Sequence, residues 1–251
     1  MSPDRPTIVV ATPAGGWADP WPNVAEIEDA LPHENWTLIG GLMVQLHAIH
    51  HDLGVIRPTN DVDIVVHVET RRGRPNALAD ALRRLGYQLQ PSLASREPVA
   101  HRFRRGRDTV DVVVADHAAP SAIDPMAGHH MVRIEGGTQA LRRTLNAQLE
   151  LTAEQPTTVS VPDPYGALIL KSAAHKVDKR DRGRHLLDAV VLLACIDDPY
   201  AQLEQPASGS DRSRLLHLRD HLTDPLHPAW LQLQTAARAD AQAALEILAA
   251  G

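Results

Sequence analysis

Two aspartates, Asp61 and Asp63, stand two residues apart at the head of the run Asp-Val-Asp-Ile-Val-Val-His-Val. On a strand, residues i and i+2 project from the same face, so both carboxylates would point one way. Side by side they repel, and ionising both is costly unless a cation lies between them. Hard oxygen donors of this kind suit magnesium. A third carboxylate, Asp111, is embedded in the β-rich run Val110 to Ala115, where a charge without a partner is costly to bury. If the two strands are neighbours, Asp61, Asp63 and Asp111 converge on one edge of a sheet. Such a triad can hold two ions about 3.5–4 Å apart across an in-line phosphoryl displacement. Upstream, Gly40-Gly41 lacks Cβ atoms that would keep a ligand away, and its amides precede a helix N-terminus, a place for the phosphates of a nucleotide. Taken singly, a Gly-Gly pair is also an ordinary tight turn and Asp-x-Asp an ordinary strand end. Their order and spacing together favour the chemical reading.

These residues need elements to position them. Trp36 to Ile39 reads as a buried strand stopped by Gly40-Gly41. The apolar spacing of Leu42, Met43, Leu46 and Ile49 predicts a helix from Leu42 to His51, closed by Asp52-Leu53-Gly54. After a loop over 55–60, Val62 to Val68 is a β-branched run expected of a central strand. Pro75 to Leu85 is an amphipathic helix, and Val24 to Leu31 a shorter one. Val99 to Arg104 and Thr109 to Ala115 form two strands about a turn. Val132 to Glu135, Leu149 to Thr152 and Thr157 to Val161 are shorter candidates. From Pro162 onward the pattern turns helical: Pro164 to Val177 with Asp163 as cap, Asp181 to Ile196, Asp211 to Leu222 and Pro228 to Ala249, with a loop at 206–210. The expected organisation is an irregular lead-in over 1–23, a mixed α/β domain over 24–161 with a mixed central sheet, and a helical C-terminal domain over 162–251.

Composition narrows the field. The 251 residues carry a formal net charge of −6, which argues against a broad basic surface for nucleic acid but leaves room for a local groove. Aromatics at 3% make a base-stacking platform improbable as an organising feature. A single cysteine, Cys195, closes no intrachain disulfide, suits a reducing cytoplasm and reads as packing in an apolar helix. No apolar run approaches the roughly 18 residues of a membrane span, and the N-terminus lacks the pattern of a secretory signal. Of 25 lysines and arginines, the lysines are Lys171, Lys176 and Lys179, all in one short stretch.

Gly40-Gly41, the helix, Arg57-x-Thr59-x-Asp61-x-Asp63 and the later strand carboxylate Asp111 resemble the DNA polymerase β-type nucleotidyltransferase superfamily. Within it the pattern looks most like the AbiEii-type group, toxins of type IV toxin–antitoxin systems that include MenT-like tRNA nucleotidyltransferases. The helical half adds Lys171 and, later, Arg184-His185-Leu186-Leu187-Asp188, where Asp188 fits the group's pattern and His185 replaces a commoner acid. The likeness spans about Trp36 to Leu193. It implies a nucleotidyltransferase fold in which Asp61, Asp63 and Asp111 bind two Mg2+ ions and Asp111 helps deprotonate an attacking hydroxyl. Gly40, Gly41, Thr59, Lys171 and Asp188 would then contact the NTP, with Lys171 neutralising the triphosphate and counted with the catalytic set. It further implies transfer of NMP to an RNA acceptor, the tRNA 3′ end foremost, by a cytoplasmic toxin with a cognate antitoxin as partner and no membrane attachment. A small hydroxylated acceptor of the aminoglycoside kind, or a nucleotide-binding module without turnover, are the rival readings.

Several residues tempt without joining this set. His47 and His51, with His50 beside them, have metal-capable spacing but no evident third ligand, and read as lying on the outer or partly packed face of their helix. His129-His130 and the other scattered histidines read as surface residues. Arg102, Arg104, Arg105 and Arg107 suit either a solvated hairpin or a groove for RNA backbone. The same choice applies to Lys176, Lys179, Arg180, Arg182 and Arg184. On the bare sequence Arg57 reads as ordering the loop before Asp61, as does Thr59 apart from the nucleotide contact that the resemblance implies, and Trp36 reads as core.

Overall fold

The structure, a computed structural model, describes residues 5–54, 57–68, 74–92, 99–119, 123–153, 155–205 and 209–251. The loops expected at 55–60 and 206–210 therefore lie partly outside the described residues. The chain divides into two compact units, Met1–Met43 with Pro58–Pro162, and Val44–Arg57 with Asp163–Gly251. Residues 44–57 thus group with the helical half rather than with the α/β half in which they were expected.

In the first unit the elements run β1 (Thr7–Val10), α1 (Trp21–Ala30), β2 (Trp36–Ile39), α2 (Gly40–His50, which continues into the second unit), β3 (Asp61–Val66), α3 (Arg74–Arg84), β4 (Gln88–Ser92), β5 (Val99–Arg105), β6 (Asp108–Ala115), β7 (His130–Met131), β8 (Arg133–Ile134), α4 (Gly137–Arg142), β9 (Thr144–Leu149) and β10 (Thr157–Pro162). The main sheet has the order β2-β3-β6-β5-β4, with β7 added beside β5 and β8 beside β6. It is mixed, because β3 and β6 are parallel whereas β2–β3 and β5–β6 are antiparallel. A smaller sheet, β1-β9-β10, touches it through the Thr37 and Ser160 hydroxyls, 3.1 Å apart. Val62, Ile64, Val110, Val112, Val114, Leu38 and Phe103 are all fully or almost fully buried, so the β-branched strands form the core expected of them.

Three expectations change here. The lead-in over 1–23 is not irregular throughout: Thr7–Val10 pairs in parallel with β9, and α1 begins at Trp21. The strand expected at Leu149 to Thr152 lies earlier, at Thr144–Leu149, where Leu145, Ala147 and Leu149 alternate inward. Lastly, the helix expected from Pro228 to Ala249 breaks into α9 (Pro228–Leu231) and α10 (Thr235–Ala250).

The second unit adds α5 (Pro164–Val177), α6 (Arg182–Ala194), α7 (Pro199–Leu203) and α8 (Asp211–His221) to α9 and α10. The α5 start is as the sequence indicates: Pro164 opens the helix, and the Asp163 carboxylate accepts a hydrogen bond from the Gly166 amide at 2.7 Å. Buried Leu168, Ile169, Ala173, Leu186, Val190, Leu215, Leu218, Leu245 and Leu248 knit α5, α6, α8 and α10 together. The Ser172 hydroxyl donates to the Arg214 carbonyl at 2.8 Å, fixing α5 against α8. Cys195 is buried, its thiol pushed up by that burial, and it hydrogen-bonds the Val191 carbonyl at 3.2 Å. Among the described residues, no helix is long and apolar enough to cross a membrane.

Candidate functional site: an acidic triad and a buried ion-pair node

Strand register decides where the three aspartates meet. Asp63 lies directly opposite Asp111 across the parallel β3–β6 pair, and Asp111 lies opposite Arg102 across the antiparallel β5–β6 pair. Asp61 is two residues before Asp63 and so shares its face. The burial of β3 alternates accordingly, with Asp61 and Asp63 half-buried and Val62 and Ile64 sealed in the core. One carboxylate oxygen from each of Asp61, Asp63 and Asp111 lies within 4.8 Å of one from each of the others. Like charges directly opposite in a sheet are destabilising, so this row needs positive charge.

Arg102 supplies part of it. Its Nε donates to Asp111 Oδ1 at 2.8 Å and its Nη2 to Oδ2 at 2.6 Å, a two-pronged pair. The hydrogen bond it donates to Asp111, aided by the fields of Asp111, Asp61 and Asp63, pushes the guanidinium further toward its charged form. Arg102 therefore senses all three carboxylates while gripping one. Thr59 holds another: its hydroxyl donates to Asp61 Oδ1 at 2.8 Å, which fixes the first carboxylate from the loop side.

Gly40 proves to serve the triad directly. It sits at φ +72°, and a Cβ built on it would lie 2.6 Å from Asp63 Cγ and 2.7 Å from Asp63 Cβ, and closer still to Oδ2. Both the left-handed backbone and the space for the Asp63 carboxylate thus require glycine at this position. Gly41 follows it, buried, in the first turn of α2. The donor set is all carboxylate oxygen, half-open to solvent and backed by apolar strands, which suits hard divalent ions such as Mg2+.

A second cluster occupies the helical unit. Asp188, 2% exposed, receives Lys171 Nζ at 2.7 Å on Oδ2. It also receives Arg57 Nε at 2.8 Å on Oδ1 and Nη2 at 3.1 Å on Oδ2. Burial alone would raise the carboxyl; Lys171 and Arg57 outweigh it and hold Asp188 below its ordinary range. Two cations thus converge on the one buried carboxylate of this node. Gln45 braces it by donating to the Arg57 carbonyl at 2.7 Å. Sequence reasoning gave Arg57 only a loop-ordering part; the missing information was its tertiary partner, 131 residues away.

His185 stands apart from that node's ion pairs. Its Nε2 lies 3.0 Å from Asp178 Oδ2, and its Nδ1 is buried with no hydrogen-bond partner among the described residues. Burial pulls the imidazole toward neutrality despite Asp178. Asp178 in turn is held low, chiefly by the Arg180 amide and then by His185.

The arginine hairpin is largely committed to carboxylates. Besides Arg102, Arg105 binds Glu26 at 2.7 Å and stacks over Tyr87, and Arg107 binds Asp19 at 3.1 Å. Arg104 is exposed. By contrast Lys176, Lys179, Arg180, Arg182 and Arg184 are all exposed around the α5–α6 turn. The expectation of outer or surface histidines fails for His47, 1% exposed because α2 is apolar on nearly every side, and for His67, His175 and His185, which are buried too.

No family model and no curated protein matches this chain. Among solved structures it is similar to an antigenic nucleotidyltransferase-like protein from Paracoccidioides brasiliensis, at 16% identity, covering 86% of this chain and 93% of that one with a TM-score of 0.45. So distant a likeness assigns no chemistry, which has to come from the residues themselves.

Proposed function

We propose that the chain is a divalent-metal-dependent nucleotidyltransferase that moves NMP from an NTP to an RNA hydroxyl. The observation that carries this reading is the convergence of Asp61, Asp63 and Asp111 on paired strands, with Gly40 leaving room for Asp63. Two Mg2+ ions held by these carboxylates would supply Lewis-acid neutralisation of the triphosphate and of the attacking oxygen. The chain's own residues do the rest. Asp111, at the end of the row beside Arg102, accepts the proton of the acceptor hydroxyl once Arg102 releases one of its oxygens. The new bond joins that oxygen to the α-phosphorus, and the bond to the β-phosphate oxygen breaks, so that pyrophosphate leaves. Thr59 keeps Asp61 in register during this exchange. By the motif resemblance, Lys171 would supply a point charge to triphosphate oxygens.

An RNA acceptor, with the tRNA 3′ end as the first to try, fits the exposed cations from Lys176 to Arg184, which would engage backbone phosphates. Action as a growth-inhibiting toxin restrained by a cognate antitoxin rests on the motif resemblance of Gly40-Gly41, Asp61, Asp63, Lys171 and Asp188. The test is incubation of the purified chain with tRNA, Mg2+ and each α-labelled NTP in turn. Label should enter RNA with one nucleotide preferred, pyrophosphate should appear in equal amount, and Asp63→Asn should abolish both. Label entering a small hydroxylated acceptor instead would keep the chemistry and reject RNA. No transfer and no pyrophosphate with any NTP and acceptor would refute the enzyme reading.

A further inference from the structure

The helical unit contains a second constellation of ligand-type side chains, built from a different donor set. His175 lies on α5, and His217 and His221 lie one turn apart on α8. Their ring centroids form a compact triangle, 5.0 Å for His175–His217, 4.7 Å for His175–His221 and 4.4 Å for His217–His221. One ring nitrogen of each lies within 4.8 Å of one from each of the others. Three imidazoles packed so closely gain little from one another as hydrophobes and repel if protonated, so their convergence calls for an explanation.

We infer that His175, His217 and His221 form a binding site for a transition-metal ion of the zinc class, independent of the proposed nucleotidyl transfer. Three lines of geometry support it. The tautomers are suited to ligation: a carbonyl only accepts, so His221 Nδ1, 2.9 Å from the His217 carbonyl, must carry the proton, and its Nε2 keeps a lone pair. The facing nitrogens His175 Nδ1 and His217 Nε2 are 2.8 Å apart and share one proton between them. In a tetrahedral zinc site, with Zn–N of 2.0–2.1 Å, two imidazole nitrogens stand about 3.3 Å apart. A metal would therefore replace the shared proton after a spreading of about half an ångström, which side-chain rotation supplies. The ring that now donates would move its proton to its other nitrogen, so no proton need leave the site.

Burial is graded in the manner of an open site. His175 is 3% exposed, His217 is half-buried and His221 is exposed, which leaves a solvent side for a fourth, water ligand. The backbone behind the ligands is braced: Ser172 ties α5 to α8, and Arg182 Nε donates to the His175 carbonyl at 2.9 Å. Surrounding charge is mixed. Arg182 and Lys176 oppose an incoming cation at His217, whereas Asp220 favours it. His185 and Arg182 likewise act on His175, which burial and the neighbouring imidazoles keep neutral. Neutral nitrogen donors select zinc, cobalt or nickel over magnesium. The acidic triad has the opposite preference, so the two donor sets discriminate between ions.

Titration of the full-length chain with Co(II), followed by visible absorption, tests the assignment. One equivalent should produce the intense bands of four-coordinate Co(II), and zinc should erase them by displacement. His217→Ala and His221→Ala, at half-buried and exposed positions that tolerate alanine on a helix, should each weaken binding by at least about 10²-fold, more than loss of an outer-shell partner does. Asp63→Asn should leave the bands unchanged. A pale six-coordinate spectrum, bands that persist in both histidine variants, or bands lost with Asp63→Asn would overturn the proposal. A nucleotidyl-transfer assay on His217→Ala separates this result from the function proposed above, because the two can fail independently.

Discussion

The α/β unit and the helical unit solve opposite electrostatic problems with the same residue types. On β3 and β6 three carboxylates share one half-open face, and the register sets two of them directly opposite each other. In the helical unit a single carboxylate, almost wholly buried, is gripped by Lys171 and Arg57. The first arrangement stores repulsion that a divalent cation relieves. The second satisfies a buried charge completely. A polar cluster that stabilises its fold and one proposed to serve chemistry therefore differ in how completely their charges are matched, and substitution can tell them apart.

The largest effect is expected at Asp188. Asp188→Ala leaves Lys171 buried beside Arg57 with nothing between them, and breaking a buried pair this way costs about 3–5 kcal/mol. Chemical denaturation should show that loss, with the m-value unchanged. Acid should expose the same dependence. Asp188 has a lower pKa folded than unfolded, so its contribution is complete above the unfolded value near 3.9 and disappears as pH falls through the folded one. Stability measured from pH 5 downward should drop in the wild type and drop less steeply in Asp188→Asn. An unchanged slope would show that the node does not act through Asp188 ionisation.

Asp63→Asn should do the reverse. Removing one anion from the crowded row relieves repulsion, so the melting temperature should stay level or rise. Nucleotidyl transfer should fall by at least about 10²–10³-fold, the scale of losing one preorganised electrostatic contact to a transition state. A variant that loses stability and keeps activity would erase the contrast between the two clusters. Gly40→Ala should approach the same phenotype by a different route. The left-handed backbone costs about 1–2 kcal/mol for a residue with a Cβ, and that Cβ must displace the Asp63 carboxylate. Both stability and transfer should fall, whereas Asp63→Asn lowers transfer alone.

How much of this was legible beforehand differs between the clusters for a physical reason. Asp61 and Asp63 could be placed on one face because strand periodicity is local, and Asp111 because a charge inside a β-branched run needs a purpose. That Gly40 makes room for Asp63 could not be read, since it depends on the antiparallel pairing of Ile39 with Asp63. Nor could β1, whose partner β9 lies beyond residue 140, because a short strand among prolines declares itself only through that pairing. Lys171 and Asp188 were found as motif residues, but their mutual neutralisation with Arg57 is tertiary. The histidine cluster had one local trace, His217 and His221 at i, i+4 on a helix; the third ligand comes from 42 residues earlier in the chain.

Thr59 tests the smallest and sharpest difference. Its hydroxyl does for Asp61 a part of what Lys171 does for Asp188, yet it is neutral and the carboxylate it holds is half-open to water. Thr59→Val keeps the β-branched shape and removes the donor. Water can replace that hydrogen bond, so the fold should lose no more than the usual net value of about 0.5–1.5 kcal/mol. If Asp61 must be held in one rotamer to share ions with Asp63, transfer should fall by about tenfold, with an increased requirement for Mg2+ that excess metal partly restores. Rescue by Thr59→Ser, which returns the hydroxyl without the methyl group, distinguishes a positioning role from packing. A Thr59→Val enzyme with wild-type Mg2+ dependence would mean that the strand alone fixes Asp61, and that the loop before it serves only to connect.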